Sequence, residues 1–238
     1  MNTIPSAGFE PVHAVASLLS GLAVPWWITG GWAIDLAVGH VTRDHANVNV
    51  MMLERDEHAL RELTGVDIQL TADGQPPAPW TAATRLTALP DPGPHPGPKG
   101  GPGRPDRAAP GRPVLRGENL PLPAEVIPAS AVGSIWVYKK GTHVFTRPLA
   151  EITRHRQGIP FLAPEVVLLI KARPGLGRPR TDNDQHDFES TLPLLSAEQR
   201  SWLKGAIERP SWLKDAIEGQ PRPPREHQWA AELSATPH

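Results

Sequence analysis

Thr29-Gly30-Gly31-Trp32-Ala33-Ile34-Asp35, followed by Val41-Thr42-Arg43-Asp44-His45-Ala46-Asn47-Val48-Asn49-Val50, is the stretch on which the fold turns. Val24 to Thr29, just upstream, is short, apolar and bulky, which predicts a buried strand. Gly30-Gly31 predicts a turn out of that strand. Trp32 to Val38 predicts one or two helical turns, closed by Gly39. Asn47 to Leu53 alternates Val48, Val50 and Met52 against Asn47, Asn49 and Met51, which is the period of a strand.

Two chemistries fit this layout. A glycine pair that opens a helix leaves backbone N–H groups free to face an anion, and the missing Cβ atoms let a phosphate come close. A plain strand-to-helix turn accounts for the same pair. Asn47 and Asn49 stand at i and i+2, so on a strand both side chains leave one face. Two carboxylates at this spacing would hold Mg²⁺ for phosphoryl transfer. Two amides also suit a polar strand edge turned to solvent.

Outward from this stretch, Pro11 to Leu19 predicts a helix with proline in its first turn and Gly21 past its end. Asp56 to Leu63 predicts an amphipathic helix, and Val66 to Leu70 a strand. The order gives a small mixed α/β (α+β) layer. Further on, Ala124 to Ile127 and Ser134 to Lys140 predict strands. Pro164 to Ala172, Asp182 to Leu192 and Ala197 to Ile207 predict a C-terminal helical part. Between the halves, fifteen of the 24 residues from Pro90 to Pro113 are Pro or Gly. Such a segment has little apolar surface to bury and predicts a linker or disordered insertion. The expected organisation is therefore a core over 1–89, the linker over 90–113, the rest of the core with the helices over 114–218, and a flexible tail over 219–238. Ser201 to Pro210 is nearly repeated by Ser211 to Gln220, which is a local duplication and too short for a solenoid.

A net charge of -1 gives no global field to recruit nucleic acid. Arg104, Arg107, Arg112 and Arg116 are basic but carry no interleaved aromatics. Arg173, Arg178 and Arg180 read as a solvated loop. The absence of cysteine excludes disulfides and cysteine-ligated zinc. The apolar run from Ala14 to Ile28 is broken by Gly21 and Pro25 and is too short to span a bilayer. These features predict a cytoplasmic protein with no nucleic-acid or membrane partner.

Gly30 to Asp35 with Gly39 to His45 resembles the N-terminal signature of the aminoglycoside and lincosamide nucleotidyltransferases, in the polymerase-beta-like nucleotidyltransferase superfamily. Trp136 to Lys140, Arg147 to Glu151, Gly158 to Glu165, Leu168 to Lys171 and Asp184 to Leu195 are similar as well. The resemblance covers most of residues 8 to 208. It implies a small mixed-sheet nucleotidyltransferase core with C-terminal helices. It also implies ATP as substrate, Mg²⁺ as metal, and AMP transfer to a hydroxyl of a small polar acceptor of the antibiotic type.

By the same resemblance Gly30 and Gly31 line the triphosphate, with Arg43 and Lys171 as further nucleotide contacts. Asn47 and Asn49 occupy the two metal-aspartate positions. Glu125 falls at the third acid, a metal ligand and base for the acceptor hydroxyl. Arg43 and His45 would orient the metal loop, though His45 by itself reads as a surface histidine. Asp35 reads as a local cap or pair. Asp184 and Asp187 resemble the family's acidic helix start and read as charges favoured by the helix dipole. Asn-x-Asn in place of Asp-x-Asp removes two negative charges, so weak Mg²⁺ binding and slow transfer are expected. The alternatives are a catalytically inactive nucleotide-binding relative and a decayed gene product. The Pro/Gly block stands where the family builds a strand before the third acid, so Glu125 is expected to reach the site poorly.

Overall fold

The structure is a computed structural model that describes residues 8–71, 76–81, 112–140, 143–172, 181–208 and 229–234. Residues 90–111 of the Pro/Gly block, the loop with Arg173, Arg178 and Arg180, and the second repeat copy lie outside these. Among the described residues no helix is long and apolar enough to cross a membrane.

Helix α1 (Glu10–Leu19) buries Val12, Val15 and Leu19, with Pro11 in its first turn. Strand β1 (Trp26–Thr29) is buried along its length. Helix α2 (Gly30–Val38) follows without a loop, so the glycine pair forms the helix's first turn instead of preceding it. The helix ends at Gly39, whose φ of +101° satisfies the αL cap expected there. Strand β2 (Val48–Leu53) begins one residue later than the alternation suggested, leaving Asn47 just outside it.

Glu54–Glu62 is a 3₁₀ helix where the pattern predicted an α-helix. It leaves through Leu63 in a β-extended conformation and serves as a tight connector. Strand β3 (Asp67–Thr71), a two-residue strand β4 (Ala78–Pro79) and strand β5 (Arg112–Arg116) follow. The expected break at 90–113 is thus too long by two residues, because Arg112 and Pro113 pair with Thr71 and Leu70. Strand β6 (Ala124–Val132) runs well past Ile127. Pro128 is tolerated because it falls between Ala124 and Glu125, paired to β5, and Ser130 to Val132, paired to strand β7 (Ile135–Lys140).

Strand β8 (His143–Pro148) closes a hairpin with β7. The sequence reading missed the next unit: short helix α3 (Leu149–Ile152), strand β9 (Thr153–Arg156) and strand β10 (Ile159–Leu162). Gln157 at φ +50° and Gly158 at φ +80° turn β9 into β10, the positive-φ pair of a two-residue hairpin. The mixed sheet has the order β4-β3-β5-β6-β2-β1-β10-β9, with β7 and β8 continuing from the far half of β6. The β2–β6 and β1–β10 pairings are parallel, and β1–β2 and β5–β6 antiparallel.

Helices α4 (Pro164–Lys171), α5 (Asp182–Thr191) and α6 (Ala197–Glu208) form the C-terminal part. Helix α2 packs on both α4 and α5, which ties that part to the strand-to-helix turn. A second apolar cluster gathers Leu168, Leu169, Phe188, Leu203 and Ile207. Trp229 joins it, fully buried and stacked on Phe188 with ring centroids 4.1 Å apart. Its indole N–H donates to Gln185 Oε1 at 2.7 Å. Residues 229–234 are therefore docked, within a stretch where a tail had been expected from composition. The Pro-rich composition says nothing about one large aromatic that finds a buried partner.

Candidate functional site

The turn from β1 into α2 sets the site. Gly30 sits at φ +67°, and a Cβ there would lie 2.8 Å from Asn49 Nδ2. A Cβ on Gly31 would overlap the tip of Arg43 and come within 2.5 Å of His45 Cε1. Both glycines are required by close approach, and Gly30 also by its backbone conformation. The first backbone N–H groups of α2 have no intrahelical partner, as at any helix start.

The segment 42–45 is fixed over α2 by one buried carboxylate. Asp35 Oδ1 accepts from Thr42 N–H at 3.0 Å and from the Thr42 hydroxyl at 2.6 Å. Asp35 Oδ2 lies 2.6 Å from His45 Nε2. The expected local pairing of Asp35 is thus observed. His45 is not on the surface: its side chain is 5% exposed and its ring stacks on Trp32 at 4.2 Å. Arg43 Nη1 lies 3.1 Å from His45 Nδ1. A guanidinium can only donate, so Nδ1 accepts and Nε2–H donates to Asp35. No sequence signal distinguishes this ring from an exposed one, because its partners come from the helix face beneath.

Arg43 and Lys171 meet on α5. Arg43 makes a two-pronged pair with Asp187, Nε to Oδ1 at 2.9 Å and Nη2 to Oδ2 at 3.1 Å. Lys171 Nζ lies 2.8 Å from both Asp187 Oδ2 and Asp184 Oδ1. Asp184 also closes a capping box with Thr181, so its reading as a helix-start charge holds. Asp187 needs correcting: it is fully buried, lies beyond the first turn, and clamps two cations. Burial by itself would raise both carboxyls. For Asp187 the hydrogen bond from Arg43 and the charge of Lys171 outweigh it, and for Asp184 the contact with Lys171 does, so both stay below the ordinary carboxylate range.

A cleft of about 510 Å³ opens here, and its wall includes Gly30, Gly31, Arg43, Asn47, Asn49 and Lys171. Glu125 stands behind it and reaches it through Asn47, whose Nδ2 donates to Glu125 Oε2 at 3.0 Å. The strand before Glu125 exists as β5, so the expected failure of Glu125 to approach is overturned. Across the sheet Thr29, Asn49, Glu125 and Val114 are consecutive register partners and share one face. Asn49 Oδ1 is buried and accepts no hydrogen bond.

Mg²⁺ wants several anionic or strongly polar oxygens in an octahedron. Here Glu125 Oε1 is taken by Arg112 Nη1 at 2.7 Å and Oε2 by Asn47. The remaining oxygen donors of the amide pair are neutral. No group of three His, Cys, Asp or Glu side chains suited to a metal occurs among the described residues. This donor set does not fit Mg²⁺.

Residues 11–77 match the family model of aminoglycoside-2''-adenylyltransferase. The match spans the glycine turn, the Asp35-centred segment and the amide pair. No curated protein matches the chain in sequence. Among solved structures it is similar to the lincosamide antibiotic adenylyltransferase LnuA with lincomycin bound, at 14% identity and TM-score 0.47, over 79% of this chain and 97% of that one. The antibiotic-resistance factor ANT(2'')-Ia gives 14% identity and TM-score 0.49, over 88% and 96%. A nucleotidyltransferase-type structure from H. pylori gives 13% identity and TM-score 0.43, over 94% and 88%.

Proposed function

We propose that this chain binds a nucleoside triphosphate, ATP by the family likeness, against the Gly30-Gly31 turn. In this reading it is an adenylyltransferase-like protein whose AMP transfer to a hydroxyl of an aminoglycoside or lincosamide-type acceptor is weakened. The observation that supports binding is the convergence of the open α2 start, Arg43 and Lys171 on one cleft. Asp187, His45 and the Asp44 carbonyl leave Arg43 one N–H uncommitted, on Nη2, and Lys171 keeps a third proton. These donors, with the α2 backbone N–H groups, orient a phosphate chain.

Transfer is an in-line attack on the α-phosphate with pyrophosphate leaving. The acceptor needs a base, and both Glu125 oxygens are already engaged. Exchanging a carboxylate for an amide at a charge-assisted position costs about 1.5–3 kcal/mol, and each ~1.4 kcal/mol is tenfold in rate. Binding therefore survives better than turnover, which favours the silent-relative reading over full activity.

Titration with a fluorescent ATP analogue tests this. The native chain should bind it and release it to ATP, and Gly31→Val and Lys171→Ala should each weaken binding by about tenfold. A native chain that does not bind, or binding that neither substitution alters, overturns the proposal.

A further inference from the structure

Arg112 belongs to no role assigned so far. It is the first residue of β5, and Val114, two residues on, lies opposite Glu125. Arg112 therefore shares the Glu125 face and reaches it diagonally. The result is the 2.7 Å ion pair, on side chains 35% and 20% exposed. A guanidinium keeps its charge at every working pH. With Asn47 on the other oxygen, the carboxylate is held from both sides.

We propose that Arg112 is a fixed cation standing in for a divalent ion beside Glu125, so that the site excludes metal and takes its triphosphate metal-free. A divalent ion approaching Glu125 would have to displace a bound positive charge, and would find amides at positions 47 and 49 in place of carboxylates. The other charges close in pairs: Arg43 and Lys171 are met by Asp184 and Asp187. Asp44, also on the cleft wall, is exposed, and one carboxylate does not make a Mg²⁺ site. The first half of the proposal stands on geometry alone, and the metal-free triphosphate rests on the nucleotide reading above.

Manganese binding, followed by the EPR signal of free Mn²⁺, tests the first half on the full chain. The variants are Asn47→Asp with Asn49→Asp, and the same pair with Arg112→Gln or Arg112→Lys. Adding Arg112→Gln should raise Mn²⁺ affinity by about tenfold or more, whereas Arg112→Lys keeps the charge and should leave it low. Equal affinity with and without Arg112→Gln overturns the proposal, as does a gain from Arg112→Lys as large as from Arg112→Gln. Circular dichroism checks each fold. If the aspartate pair unfolds the chain, Arg112→Gln alone against the native protein gives the same comparison. The second half is read by ATP-analogue binding in EDTA and in Mg²⁺, expected to agree within about threefold. A Mg²⁺-dependent gain of about tenfold overturns metal-free binding. No binding in either buffer overturns the nucleotide reading, while the Mn²⁺ comparison still decides the role of Arg112.

Discussion

In the proposed function, Asn47 and Asn49 are the residues on which transfer would turn. Both amides border the cleft, and one of the four amide heteroatoms, Asn49 Oδ1, is buried without a partner. A buried acceptor left unpaired costs about 1–3 kcal/mol. Asn47→Asp with Asn49→Asp, combined with Arg112→Gln to release Glu125, should raise AMP transfer from radiolabelled ATP in Mg²⁺ to an aminoglycoside acceptor by at least about tenfold, because each restored charge is worth that much. A product signal equal to the native chain's would end the weakened-transferase reading. The glycine pair and the amide pair were visible in sequence as residue types at a spacing, and Lys171 only through the family resemblance. Arg112 was not, being one arginine among several in a basic, Pro-rich segment. Only the β5–β6 register brings it to Glu125.

Helix α5 carries more of the site than its sequence suggests. Its N-terminus was legible as a helix start with Asp184 as a favourable charge, and the structure adds the capping box with Thr181. Its inward face was not, because Asp187 meets Arg43 from 144 residues away. Sequence spacing reports i and i+4 neighbours, and contacts of this separation exist only once the helices pack. Asp187→Ala should leave two cations without their shared buried anion and destabilise the fold by about 3–5 kcal/mol. A urea melt of native and variant checks this, and a difference under about 1 kcal/mol would show that solvent replaces the carboxylate freely. At the other end of the sheet, β9 and β10 went unread because four-residue strands carry too little alternation to register.

At the scale of the molecule, the mixed α/β class and the helical C-terminal part were legible because apolar periodicity and turn residues agree along most of the chain. The same electrostatics predict an acid response. Asp184 and Asp187 titrate below their ordinary value in the fold. Their stabilisation is therefore complete above the unfolded carboxylate value of about 3.9 and is lost as the pH falls through the lower folded values. The stability gap between the native chain and Asp187→Ala should stay constant from about pH 7 to about pH 5 and shrink below about pH 4. Urea melts across that range measure it, and a gap that widens in acid would contradict the ion-pair account.

Phe188 follows Asp187 on α5, and Trp229 lies flat on its ring. One side of that short helix is thus gripped by an aromatic from near the end of the polypeptide, while the adjoining side grips the two cations of the cleft. Removing the late aromatic would free the helix to rock, and the cations would drift with it. Cutting the chain just before Trp229, remote from the cleft in sequence, is thus a way to slacken the two cations proposed to hold a phosphate.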